Sequence, residues 1–213
     1  MASPDTSFRY EKARSPGREA ATGQQEILDA LCAEVPAEIQ RRNPLAVQRA
    51  ARRGSCVQST RVGIEALRYF GVEAKPLVTL LMTGNAAWVE WMGQDVPPLP
   101  MPDPVWAVGT DPEQQGERGY PAHLVIQYDG GLLDLDAGFY TRPERHIHIP
   151  PTVFLPLMEP GPNGVIAATS LKDDGVLFYR EWKSEIDFRQ IGAWRDSRKW
   201  AGPVIRAMKK RLA

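Results

Sequence analysis

The stretch HLVIQYDGGLLDLDA, residues 123–137, limits the fold more than any other part of the chain. Two apolar runs of strand length flank Asp129-Gly130-Gly131. Asp-Gly between such runs signals a hairpin closed by a two-residue type I′ turn. With Asp129 and Gly130 in the turn, Tyr128 pairs with Gly131. Counting outward then sets His123 opposite Asp136 and Val125 opposite Asp134. Cross-strand partners share a face, so His123, Asp134 and Asp136 project together. Leu133 and Leu135 join Leu124 and Ile126 on the other face. Two carboxylates on an otherwise apolar strand are expensive to bury without partners. Asp136, directly opposite, is the first choice to orient the imidazole, and Asp134 is the alternative. A Gly130-Gly131 turn would instead set Asp136 opposite Val125 and leave His123 facing Gly138.

Upstream, GSCVQSTRVGIEALRYFGVEAKPL, residues 54–77, places a lone cysteine at the start of a helix. Ser55 can cap that helix, whose apolar stripe is Thr60, Gly63, Ile64, Leu67 and Phe70. Gly71 is placed to close it in a left-handed cap. The continuous run Leu77 to Met82 then reads as a buried strand. Partial positive charge at a helix start favours a thiolate, and Arg52, Arg53 and Arg61 are near Cys56 in sequence. A cysteine nucleophile needs a general base, usually histidine, and the histidine needs an orienting group. The chain has only three histidines, and His123 is the one with carboxylates on its own strand face. Cys56 alone reads as a small packing residue. The hairpin is what gives it a chemical reading.

The 213 residues fit one domain with a core of ordinary size. Basic and acidic residues balance at 26 each, so no net field argues for nucleic acid or an anionic membrane as partner. Lys209-Lys210-Arg211 reads as a helix end complementing its dipole. Cys32 and Cys56 form no C-x-x-C pair and are too few for a disulfide framework. The start of the chain has no secretory pattern, and no run approaches about 18 apolar residues. The expectation is a cytoplasmic protein with reduced thiols and no membrane span.

Residues 1–23 read as a flexible arm and 24–213 as a single domain. QQEILDALCAEV sets Ile27, Leu28, Leu31, Cys32 and Val35 on a helical stripe, with Pro36 following. Asn43-Pro44 starts a short helix, LAVQRAARR. Residues 92–119 carry Pro97, Pro98, Pro100, Pro102, Pro104 and Pro112, a long connection of the kind that is functional or disordered. TVFLPLM, GVIAATS and GVLFYREW suggest further antiparallel strands, and the tail from Ala193 to Leu212 reads as helix interrupted by Gly202-Pro203. The expected class is α+β, with helices on one side of an antiparallel sheet.

A cysteine at a helix N-terminus, then a strand, then a histidine strand paired with an aspartate strand, resembles the transglutaminase-like branch of the papain-like cysteine protease superfamily. GSCVQSTRVGIEALRYFGVEAKPL and HLVIQYDGGLLDLDA carry the resemblance. ALRYFGVEAKPL is also similar to the family's helix–Gly–strand passage after its cysteine. The resemblance implies a papain-like fold with Cys56 as nucleophile, His123 as base and Asp136 as orienting acid. This chain has Val125 where the family commonly has an aromatic, and Ala137 where its Asp is often followed by Pro. Arg53-Gly54-Ser55-Cys56 is similar to the Arg-Gly-Gly-x-Cys run of arylamine N-acetyltransferases, but one residue shorter.

The implied chemistry is acyl transfer from a peptide, protein or small amide or ester. Water as acceptor makes an amidase or peptidase, and an amine acceptor makes a transferase. Backbone N–H groups at the helix start, or the side-chain amide of Gln48, would hold the oxyanion. No metal or organic cofactor is implied. HIHIP sets His146 and His148 two residues apart on one strand face, but nothing nearby completes a ligand set. Trp88, Trp91 and Trp106 flank the proline-rich connection, either walling a groove or packing beneath the loop. The competing expectation is an inactive papain-like scaffold that binds a partner through that connection. Nothing in the sequence sets an oligomeric state.

Overall fold

A computed structural model describes residues 20–42, 55–92, 106–108, 122–160, 164–183 and 187–213. The helices are α1 (Ala20–Arg42), α2 (Cys56–Tyr69), α3 (Ala86–Met92), α4 (Gly192–Ser197) and α5 (Ala201–Leu212). The strands are β1 (Lys75–Gly84), β2 (Trp106–Val108), β3 (His123–Tyr128), β4 (Gly131–Asp134), β5 (Val153–Pro156), β6 (Val165–Ser170) and β7 (Val176–Glu181). The architecture is α+β, with helices against an antiparallel sheet.

The hairpin builds as its residues dictate. Asp129 (φ 43°) and Gly130 (φ 69°) both take positive φ, as a type I′ turn requires, and Tyr128 pairs with Gly131. The sheet runs β5-β4-β3-β1-β7-β6, every pairing antiparallel. β1 is the long central strand. β3 pairs with it over Lys75 to Thr79, β2 continues that side at Leu81 to Thr83, and β7 runs along its other side. Past the edge strand β5, the Met158 N–H donates to the Ile166 carbonyl at 2.8 Å, so the sheet curls its two edges toward each other.

Strand alternation then sorts two cores. Leu124, Ile126, Tyr128 and Leu133 pack under α1, α2, α4 and α5. Val125, Leu132, Leu155, Ile166, Leu177 and Tyr179 fill the enclosed opposite face. Two contacts seat α2 on β3. The Thr60 hydroxyl donates to the Leu124 carbonyl at 2.8 Å. At Gly63 the helix comes so near that a Cβ would lie 2.5 Å from Ile126 Cδ1 and 2.7 Å from Leu135 Cδ1. The Cys56 end of α2 is thereby set at the His123 end of β3.

Several boundaries differ from the sequence expectation. α1 begins at Ala20 and continues through Pro36 to Arg42. Proline removes one helical bond there, and burial of Val35 and Ile39 on either side holds the helix together. Residues 1–19 and the expected helix LAVQRAARR lie outside the described residues. α3 arises within the residues leading into the proline-rich connection, its Trp88 N–H capped by the Asn85 side chain at 3.2 Å. HIHIP forms no strand: a 3₁₀ turn covers Pro143–Arg145, His146 is left-handed (φ 54°), and Arg142 and Ile147 make an isolated bridge. Gly202-Pro203 falls in the first turn of α5, where proline's missing N–H is harmless. Among the described residues no helix is long and apolar enough to cross a membrane.

Candidate active site

His123 is the first residue of β3, paired with Thr79 of β1, and fully buried. Asp134 is the last residue of β4 and lies on the same face by strand alternation. His123 Nε2 and Asp134 Oδ2 are 2.6 Å apart. The carboxylate has further donors: the Tyr179 hydroxyl on Oδ2 at 2.8 Å and the Asp136 N–H on Oδ1 at 2.8 Å. A carboxylate that is 1% exposed is thus supplied on both oxygens, the condition for burying it.

Cys56, 5% exposed, opens α2 beside His123, and its proximity helps to raise the imidazole pKa. Nε2 is occupied by Asp134, so Nδ1 is the nitrogen available to the thiol. The Tyr140 hydroxyl lies 3.5 Å from Nδ1, with its ring edge-on to the imidazole at 5.2 Å. The Tyr179 ring stacks on the imidazole with centroids 6.2 Å apart. Burial pushes the imidazole pKa down, but the Asp134 charge and hydrogen bond, with Cys56, outweigh it and hold His123 well above its ordinary value.

The His123 ring is bonded to Asp134 rather than to Asp136, which corrects the expected pairing. The turn register is the one counted, but the β3–β4 ladder ends at Ile126–Leu133. Asp134 Oδ1 accepts the N–H two residues on, an Asx-type turn that ends the strand. The chain then enters a 3₁₀ turn at Ala137–Tyr140, where Gly138 packs so closely on Pro151 that a Cβ would lie 2.6 Å from its Cα. Asp136 instead collects three hydroxyls. Ser55 donates to Oδ1, Ser59 donates to Oδ1 at 3.2 Å, and Tyr140 donates to Oδ2 at 3.4 Å. Burial raises its pKa, Ser55 lowers it, Asp134 raises it again, and the balance stands at about 6.

Ser55 occupies the N-cap position, yet its side chain makes no cap bond. Ser59 N–H reaches the Ser55 carbonyl at 2.9 Å, while the N–H groups before it have no side-chain cap and form the positive end of the helix. Arg61 does not serve Cys56: it pairs with Glu65 at 2.8 Å and lies over the Trp194 ring. Arg52, Arg53 and Gln48 lie outside the described residues, as do the side chains of Trp91 and Trp106. Trp88 is buried against Gly84 and stacks on Phe178, which makes it packing. Cys32 is half-buried on α1, both cysteines are free, and burial raises the Cys32 thiol. Among the described residues no cluster of His, Cys, Asp and Glu could hold a metal ion. A groove of about 550 Å³ lies at the opposite end of β3, beside Tyr128 and Gly130, and touches none of these groups.

Sequence reasoning missed Tyr140, Tyr179 and the partnership of Ser55 and Ser59 with Asp136. One signal pointed their way: two buried acids require donors, and alternation in GVLFYREW turns Tyr179 inward with Leu177. Compared with protein-family models, curated proteins and solved structures, the chain matches none.

Proposed function

We propose that this chain is a cysteine-dependent acyl-transfer enzyme on the papain-like, transglutaminase-like plan. Cys56 is the nucleophile, His123 the general base and Asp134 the orienting acid. One observation carries the reading: the buried His123 ring is bonded to Asp134 at Nε2 and lies close enough to the Cys56 thiol for the two to share a proton. A His–carboxylate pair on its own is ordinary core chemistry. A thiol at a helix start beside that ring is what turns it toward catalysis.

In this mechanism His123 Nδ1 takes the Cys56 proton and the thiolate attacks the carbonyl carbon of an amide. The tetrahedral oxyanion is held by uncapped backbone N–H groups at the start of α2. Collapse breaks the C–N bond, and the imidazolium gives its proton to the departing amine. Water, deprotonated by His123, then cleaves the thioester and returns the thiol. Asp134 holds the Nε2 proton throughout and stabilises the imidazolium as it forms. Hydrolysis is the preferred outcome because it needs no second binding site, which makes the protein an amidase or peptidase. An amine acceptor in place of water makes it a transferase.

The deep burial of Cys56 favours a second reading, a scaffold that binds without turnover. Alkylation by iodoacetamide separates the two. Catalysis predicts that Cys56 is labelled at about pH 6 nearly as fast as at pH 8, and at least about tenfold faster than Cys32. The label should disappear in Cys56→Ala and form slowly in His123→Ala. Slow labelling that climbs steeply with pH, unaltered by His123→Ala, would sink the enzyme.

A further inference from the structure

We propose that Asp136 is a positioning residue for the Cys56–His123 pair. It fastens the first turn of α2 through Ser55 and Ser59, and its ionised form favours the imidazolium of His123. This rests on the reading of Cys56 and His123 as nucleophile and base.

The first line of support is where the hydroxyls go. Ser55 and Ser59 precede Cys56 by one residue and follow it by three, and both donate to Asp136 Oδ1. A serine at an N-cap ordinarily accepts a bond from an N–H of its own helix, and here that bond is absent. The helix forgoes its usual cap, and Asp136 takes over as its anchor. The start of α2, and with it the thiol, is therefore tied to a carboxyl 80 residues away in the chain (136 less 56).

The second line is the charge inventory around that carboxyl. Cys56 faces the cluster from α2, His123 from β3, Asp134 from β4, Tyr140 from the 3₁₀ turn and Tyr179 from β7. His123 is the group in this set that can carry positive charge. Asp136 reaches it through Tyr140, whose hydroxyl lies between Asp136 Oδ2 and His123 Nδ1. A negative charge on Asp136 lowers the free energy of protonated His123, and protonated His123 does the same for ionised Asp136. Transfer of the thiol proton to His123 is therefore easier with Asp136 ionised. Burial and Asp134 hold Asp136 protonated up to about pH 6, so this influence switches on just below neutrality.

Alkylation rates of Cys56 across about pH 5 to pH 8 test this. In the unaltered protein the rate should show an inflection near pH 6, where Asp136 ionises. Asp136→Asn keeps an oxygen for Ser55 and Ser59 but removes the charge. It should abolish the inflection and slow labelling about tenfold at neutral pH. Ser55→Ala removes a donor to the carboxylate and should move the inflection upward, which keeps the test alive if Asp136→Asn fails to fold. A merely structural anchor would leave the shape of the profile alone. A fast-labelling Cys56 whose profile is the same in Asp136→Asn, or unmoved in Ser55→Ala, overturns this role and leaves the enzyme reading intact. A slow Cys56 indifferent to His123→Ala overturns both.

Discussion

His123 Nε2 and Asp134 Oδ2 lie 2.6 Å apart at the ends of neighbouring strands, both buried. That bond fixes the tautomer: Nε2–H donates to Asp134, so the lone pair of neutral His123 is on Nδ1, the nitrogen left for a thiol proton. Asp134→Asn keeps the shape but offers an amide that can donate to Nε2 and stabilise the opposite tautomer. Labelling of Cys56 at neutral pH should fall by about 10²- to 10⁴-fold. Circular dichroism should show the fold retained. A variant that labels within a few-fold of the parent would remove Asp134 from the site.

Tyr179→Phe is expected to separate stability from reactivity. It deletes one of two donors to Asp134 Oδ2 and leaves the His123 bond and the Asp136 N–H in place. Urea denaturation should report a loss of about 1–2 kcal/mol, the cost of a buried acceptor short of one partner. Cys56 labelling should change less than about threefold, because Asp134 still holds the ring. A hundredfold loss of labelling would mean that Tyr179 acts on the imidazole itself.

Gly63→Ala probes the seat of α2 on the sheet. Its new methyl would meet Ile126 Cδ1 and Leu135 Cδ1, side-chain ends that can give at some cost in rotamer and packing. The expected destabilisation is about 1–3 kcal/mol. Ile126→Val removes one of the two obstructing methyls, so the double variant should recover part of that loss. Additive losses in the double-mutant cycle would show that the close approach at Gly63 is not what limits the packing.

What the sequence made legible follows from how local each signal is. The hairpin register was readable because Asp129-Gly130 can supply two consecutive positive φ values, a demand satisfied within two residues. The helix end at Gly71 was readable for the same reason: it takes φ 78°, and the Val72 N–H reaches back to the Leu67 carbonyl at 3.0 Å. Asp136 was misplaced because the count assumed that pairing continued. The side chain that stops it, Asp134 bonding the N–H two residues on, competes with the ladder in a way alternation does not encode. Tyr179 was out of reach, since its tie to Asp134 spans 45 residues and depends on β7 lying beside β1. Ser55 read as a cap on local grounds and lost that bond to a carboxyl brought in by the tertiary fold.

The same carboxyl makes stability depend on pH in a direction unusual for an aspartate. Asp136 ionises at an ordinary 3.8 when unfolded and at about 6 when folded. The folded state therefore holds this proton more tightly. Its contribution is complete below about pH 4 and is lost as pH rises to about 6, after which both states are ionised and the slope vanishes. The loss amounts to about 3 kcal/mol at neutral pH. Asp136→Asn carries no proton to lose, so the stability difference between variant and parent should move by about that much in the variant's favour between about pH 4 and pH 7. Urea midpoints at the two pH values, read with Asp134→Asn as a comparison, measure it. A difference that stays flat would mean that the Ser55, Ser59 and Tyr140 donors offset the burial of the charge, and that Asp136 is already ionised in acid.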